Sequence, residues 1–339
     1  MPGEPGDEAS RETARVGAGG AGAGAGHGGD YNDAMPDTTR PEGASDAAKT
    51  TARLRTDRHD RLYRENLFVY PVLSRRARGI SVGINLNPDK VCNFDCVYCQ
   101  VDRTTPPAVR DVDETRLLDE LREVLRQAQD GSLFARPEFA AVPEAQRCLR
   151  DITFAGDGEP PSYPNFPGIV RDVIALKRDE GFSALPIIVL TNATLIDRPR
   201  VKEAMRLIDA DGGTFWLKLD AGTEPYYRMI ERTTIPFRKV LDNILEAARV
   251  RPVVLQSLFM KVRGDGPSPA EIDAFVDRVA EIMAGGGRVS LVQVYTVARA
   301  PAESWVMPLA DAEVDAIATK VRERLPGLPV ESYYSGWAA

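Results

Sequence analysis

The segment Cys92-Asn93-Phe94-Asp95-Cys96-Val97-Tyr98-Cys99 places three cysteines at C-x3-C-x2-C spacing, with an aromatic residue just before the third. Three thiolates so placed can hold three corners of a cubane [4Fe-4S] cluster. The fourth iron then has no protein ligand and can bind a substrate or cofactor directly. A structural zinc site is the alternative, but it wants four ligands, usually as two pairs. The chain offers one further cysteine, Cys148, remote in sequence, and two histidines, His27 and His59, the first in a low-complexity tail. An electron-carrying ferredoxin would show more cysteines, one of them near a proline. The metal ligands expected are therefore Cys92, Cys96 and Cys99.

A loop of this kind needs a scaffold. Residues 80–86 alternate apolar and small side chains, as a first strand would, and the cysteine loop leaves its C-terminal end. Leu117, Leu118, Leu121, Val124 and Leu125 then recur at helical spacing. The same alternation repeats through strands at 152–155, 187–190, 215–219, 253–259 and 289–295, each followed by an amphipathic helical pattern. Ser268-Pro269-Ala270-Glu271 reads as a capping box with proline in the first turn. Six strand–helix units imply a parallel sheet with helices outside it. Eight would close a barrel, so the fold class expected is α/β, a partial (β/α)6 TIM-type barrel. Residues 1–52 form a Gly/Ala-rich arm expected to be disordered, because it cannot bury enough apolar surface to offset ordering entropy. Residues 53–79 form a basic lead-in, and 80–339 the core domain.

Parallel α/β folds gather chemistry beyond the C-terminal ends of their strands. Gly156-Asp157-Gly158-Glu159 follows the second strand, Asn192 the third, and Lys218 and Asp220 end the fourth. Gln256, Lys261, Tyr295, Thr296 and Arg299 lie on or after the last two. Lys218 alternates with Leu217 and Leu219. If it points inward, it is a buried amine suited to a Schiff base or a carboxylate contact. If outward, it is an ordinary pairing lysine. Lys218 and Tyr295 are the catalytic candidates. Asn192 can serve a ligand or cap a nearby helix. Cys148 precedes the second strand, which places it at the opposite end of the sheet as a structural thiol. The arginines Arg53, Arg55, Arg58, Arg61, Arg64, Arg75 and Arg76 are either a solvated segment or an anion site for a phosphate or carboxylate.

The 339 residues carry a net charge of −7, with 43% hydrophobic and 27% charged residues. That is ordinary for a globular protein and argues against one held mainly by nucleic-acid phosphates. No apolar run is long enough for a membrane span, and the N-terminus lacks the apolar core of a signal peptide. Thiolate iron ligands fit a reducing cytoplasm.

From Tyr70 to Pro308 the chain resembles the radical S-adenosylmethionine (SAM) superfamily, whose signature is this cysteine triplet with its preceding aromatic. The resemblance implies a partial barrel, one [4Fe-4S] cluster and SAM as cofactors. It also implies reductive cleavage of SAM to a 5′-deoxyadenosyl radical that takes hydrogen from a substrate. Gly156-Asp157-Gly158-Glu159 is similar to the family's Gly-Gly-Glu motif, with Asp157 at the second glycine, and would hold the methionine amine through its backbone and Glu159. The resemblance adds Tyr98, Asn192 and Asp220 as cofactor contacts. Residues 74–86, 92–96, 153–160 and 191–192 look like the group related to wyosine-base (tRNA) synthases. Those enzymes carry a second cluster on upstream cysteines, and no cysteine precedes Cys92. A second cluster of that type is not expected, so the substrate stays unassigned, with tRNA, a peptide or a small metabolite open. A non-catalytic redox-sensing role also stays open. The electron donor is expected to be a separate protein of flavodoxin or ferredoxin type.

Overall fold

The computed structural model describes residues 63–335. The Gly/Ala-rich arm at 1–52 and Arg53, Arg55, Arg58 and Arg61 lie outside the described residues. Along the chain run β1 (Val69–Ser74), β2 (Gly79–Ile84), α1 (Glu114–Gln129), β3 (Leu149–Phe154), α2 (Phe166–Asp179), β4 (Ile187–Thr191), α3 (Pro199–Ala210) and β5 (Thr214–Lys218). Then come α4 (Glu224–Glu231), α5 (Phe237–Val250), β6 (Val253–Val262), α6 (Pro269–Ala284), β7 (Val289–Thr296), β8 (Val306–Pro308), α7 (Asp311–Arg324) and β9 (Val330–Tyr333).

Strands β2 to β7 lie side by side in chain order and parallel. Right-handed crossovers in unbroken order stack every connecting helix on one face and curl the sheet, which is the partial barrel expected. Register aligns the apolar positions: Leu217 faces Leu255, and Leu255 faces Val292. Strand residues such as Ile152, Val189, Phe215 and Leu255 are fully buried, as are Leu117 and Leu121 of α1 and Ile169 and Val173 of α2. The six predicted strands and their helices are all present.

Four elements were not foreseen. The basic lead-in ends in a buried strand, β1, paired antiparallel with β2. Strand β9 adds parallel to β7, and the short β8 pairs antiparallel with β6. Helix α4 is eight residues long and buries only Tyr227, Ile230 and Glu231, too few to show a period. The capping box at Ser268 is half formed. Ser268 Oγ accepts from the Glu271 N–H at 3.1 Å. The Glu271 carboxylate turns away to the Gly222 and Thr223 N–H groups and the Thr223 hydroxyl (2.6 Å). No helix among the described residues is long and apolar enough to cross a membrane.

Candidate active site

A cavity of about 310 Å³ lies between the cysteine loop and the interior of the curved sheet. Cys92, Cys96 and Cys99 all line it. The loop that carries them is docked on α4. The last carbonyls of a helix have no intrahelical partner. Here the Ile230 carbonyl accepts from the Val97 N–H (2.8 Å) and the Glu231 carbonyl from the Asp95 N–H (3.0 Å). Phe94 packs edge-on against Tyr227, which stacks on Phe237 with ring centroids 4.9 Å apart. On the other side the Cys99 carbonyl accepts from Ala302 N–H at 2.9 Å.

The donor set suits a cluster. The three thiols line one cavity, and a cube takes one sulfur on each of three irons. Burial pushes the Cys92 thiol above its usual range, and burial with the Glu231 charge pushes Cys96 well above it. Both thiols must therefore give up a proton when metal binds. Arg103 donates to the Cys99 sulfur at 3.2 Å. Cys148 lies just ahead of β3 and outside the cavity, as expected.

Behind the loop sits a buried polar network. The Cys96 sulfur lies 2.6 Å from Glu231 Oε2, and the Tyr98 hydroxyl is 2.8 Å from Glu231 Oε1. That hydroxyl also donates to Asp220 and accepts from Lys218 Nζ at 2.7 Å. Lys218 does point inward and lines the cavity. Although burial works against it, the charges of Cys96, Glu231 and Asp220 hold its ammonium well above the ordinary lysine range. Its inward position places the Lys218 amine against the cysteine loop, 2.7 Å from the Tyr98 hydroxyl. Asp220 does not itself line the cavity. Its two oxygens accept from the Leu258 N–H (2.7 Å) and from Tyr98. Lys218 Nζ is 3.5 Å away.

The glycine–glutamate segment lines the cavity as one run, Gly156 to Glu159. Glu159 is buried and accepts from the Asn192 N–H at 2.9 Å and from the Thr191 hydroxyl. Burial, only partly offset by those bonds, raises its carboxyl to about 7. The glycines are needed for a reason the sequence did not show. A Cβ on Gly156 would sit 2.1 Å from Asn85 Oδ1, and one on Gly158 would sit 2.1 Å from the Val91 carbonyl. The close approach is to the protein itself. Asn85 clamps Asp157, accepting from its N–H at 3.1 Å and donating to its carboxylate at 2.7 Å. Asn192 caps no helix. It donates to Asn93 Oδ1 at 2.7 Å and so ties the Glu159 region to the cysteine loop.

Tyr295 lines the cavity, where the Arg76 guanidinium lies 5.0 Å from its ring centroid. Gln256 also lines it and donates to Gln293 at 2.9 Å. Thr296 spends its hydroxyl on the Phe259 carbonyl and the Leu309 N–H, both at 2.8 Å. Lys261 lies outside the cavity lining, paired with Glu313 at 3.1 Å. Sequence reasoning missed Glu231, Asn93 and Arg103. Glu231 ends a helix with no periodic signal, and the other two are ordinary loop residues by type.

Residues 86–278 match the family model for the Radical SAM superfamily. Among curated proteins, the chain is 25% identical over 254 residues to GTPase Obg of Brachyspira hyodysenteriae, covering 72% of this chain and 32% of that one. It is 35% identical over 184 residues to a UPF0026 protein of Methanocaldococcus jannaschii, covering 52% and 46%. A UPF0026 protein of Helicobacter pylori strain J99 is 23% identical over 223 residues, covering 65% and 64%. The chain thus spans less than two thirds of the length of each of these three relatives. A solved radical SAM methyltransferase from Sphaerobacter thermophilus shares the fold, with a TM-score of 0.56 at 14% identity over 79% of this chain and 70% of that one. A structure of TYW1 with a lysine-pyruvate adduct bound matches with a TM-score of 0.45 at 15% identity, over 73% and 74%.

Proposed function

The chain belongs to the radical SAM superfamily, and from that membership we propose which of its residues do the family's work. As a member it is an enzyme that uses a [4Fe-4S] cluster held by three cysteines, together with SAM, and it draws on an external reductant. When bound, the cluster supplies the electron for reductive cleavage of SAM. Cys92, Cys96 and Cys99 hold it in this reading. Glu159 pairs with the ammonium of SAM, and Tyr98, Gly156, Gly158 and Asn192 shape the place where the cofactor lies. Asp157 and Asp220 act one layer back, the first fixing the glycine turn through Asn85 and the second holding Tyr98 and Lys218. The sheet interior below receives the substrate and keeps water from the reaction.

The observation that carries this reading is one cavity lined by all three thiols and by Glu159, at the C-terminal ends of parallel strands. Anaerobically reconstituted, reduced protein mixed with SAM should form 5′-deoxyadenosine, and Cys92→Ala should reduce that to background. An intact reduced cluster that leaves SAM uncleaved would refute the reading. A tRNA base, a peptide or a small metabolite could each accept the same first step. Mass spectrometry of tRNA nucleosides and metabolites from cells with and without the gene separates them. A flavodoxin or ferredoxin is the proposed donor.

A further inference from the structure

The residues assigned to SAM line only part of the cavity. Another part of its wall is made by Arg76, Trp216, Tyr295, Gln256 and Asp151. Arg76 comes from the turn between β1 and β2. Its guanidinium reaches across the sheet interior to lie 5.6 Å from the ring centroid of Trp216 on β5 and 5.0 Å from that of Tyr295 on β7. Its neighbour Arg75 also reaches the cavity wall but donates to the Tyr334 carbonyl.

Aromatic faces attract a guanidinium electrostatically but leave its in-plane N–H groups to other partners, of which the Tyr295 hydroxyl is one. Arg76 Nη1 is buried with no hydrogen-bond partner. Among the described residues no carboxylate lies within ion-pair distance of Arg76. The acid on the same wall, Asp151, already accepts from Ser81 (2.9 Å) and from Thr153. Burial raises its carboxyl above the usual range, which makes it a weak counter-ion. A cation held in a cavity by aromatic rings, with one donor unmet and the Asp151 charge near it but outside ion-pair distance, can take an anion that arrives from outside.

We propose that Arg76, flanked by Trp216 and Tyr295, anchors a carboxylate of the substrate. This rests on the functional reading above and adds the substrate class: a small carboxylic acid that enters the sheet interior, its acid on Arg76 and a C–H bond presented toward the cysteine loop. The edge of a guanidinium offers two parallel N–H groups, which match the two oxygens of a carboxylate. A phosphate dianion would call for a second cation. Of the other cations of the wall, Lys218 is held by Tyr98 and Asp220 and Arg103 by Cys99, while Arg75 donates to the Tyr334 carbonyl and Arg299 to Gln100.

The test uses the full reconstituted chain without oxygen, titrated with propionate, benzoate, inorganic phosphate and total tRNA. Calorimetry gives the affinity, and tryptophan fluorescence reports events beside Trp216. Propionate and benzoate should bind the wild type and change its fluorescence. Arg76→Gln should weaken both at least tenfold, Arg76→Lys less, and Trp216→Phe should remove the optical signal. Equal carboxylate affinity in wild type and R76Q would overturn the proposal, as would no carboxylate binding at all. Phosphate or tRNA binding that depends on Arg76 in place of carboxylate binding would overturn it too. Should R76Q lose its cooperative melt, R76K carries the test, and unchanged affinity there is the refuting result. Formation of 5′-deoxyadenosine by the wild type is measured separately. Its failure removes the enzyme reading. Its success beside carboxylate binding that ignores Arg76 removes only the anchor.

Discussion

Burial holds the Glu159 carboxyl at about 7 against an ordinary value of 4.5, even though Thr191 and Asn192 both donate to it. A folded value above the unfolded one means stability that is present below about pH 4.5 and lost as the pH rises through about 7. An ammonium reverses the preference, because it pairs with the charged form. SAM binding should then release a proton below about pH 7, and affinity should fall by up to about tenfold per pH unit on acidification. Calorimetry at pH 6 in two buffers of different ionisation heat would show that proton, and Glu159→Gln should abolish both the release and the pH slope. An unchanged slope in the variant would remove Glu159 from the cofactor. Gly158 makes a second residue-scale case. Its missing Cβ clears the backbone carbonyl of Val91, which cannot swing aside as a side chain can. Gly158→Ala should cost about 1–3 kcal/mol through forced backbone movement, read as a drop of several degrees in melting temperature. Both residues stood out in the sequence. The reason for the glycine was not, since the group that approaches it belongs to a loop 67 positions earlier.

Helix α4 shows why some elements stayed hidden. Strands and long helices announce themselves because burial on one face imposes a period. Leu117, Leu121, Val124 and Leu125 of α1 could therefore be placed from the sequence, and they are buried. Helix α4 has two turns, and its work is done by its ends. At its start Thr223 caps the Tyr226 N–H and is itself held by Glu271. At its finish the Ile230 and Glu231 carbonyls receive the cysteine loop. Strand β1 was hidden for another reason: its buried run sits among arginines, whose charge dominates the local composition. The cap and the cluster loop are thus opposite ends of one short lever. Thr223→Ala should cost about 1 kcal/mol. Tyr227→Ala, which removes the ring between Phe94 and Phe237, should cost about 3–5 kcal/mol by analogy with other buried aromatics. Both should lower the iron retained per chain after reconstitution, Y227A more. Full iron loading in Y227A at reduced stability would show that α4 supports the fold without supporting the cluster.

The molecule joins a large apolar core to a small metal-binding loop. The core runs through every strand from β1 to β7 and through the helices outside them, with Val69, Ile152, Phe215, Leu255, Val292 and Val321 all fully buried. The thiols sit at its margin: Cys92 and Cys96 are partly buried and pack against it. Small domains that depend on metal for their fold have no such core, and their ligands hold the chain together. Here the sheet carries its own stability, and the cluster adds to a structure already made. Chelation under anaerobic conditions, or the triple change of Cys92, Cys96 and Cys99 to Ala, should leave the far-ultraviolet circular dichroism near that of the reconstituted protein and keep a cooperative melt. Ligands bound only to the folded state must still raise the transition. At a hundredfold excess over its dissociation constant SAM contributes about 2.7 kcal/mol, roughly 5–10 °C in a domain of this size. That increment should appear with the cluster present and vanish in the triple variant, because the cofactor would have lost the cluster it binds beside. An apo-protein without a cooperative transition would mean that the loop organises the sheet, and the order argued here, scaffold first and metal second, would be reversed.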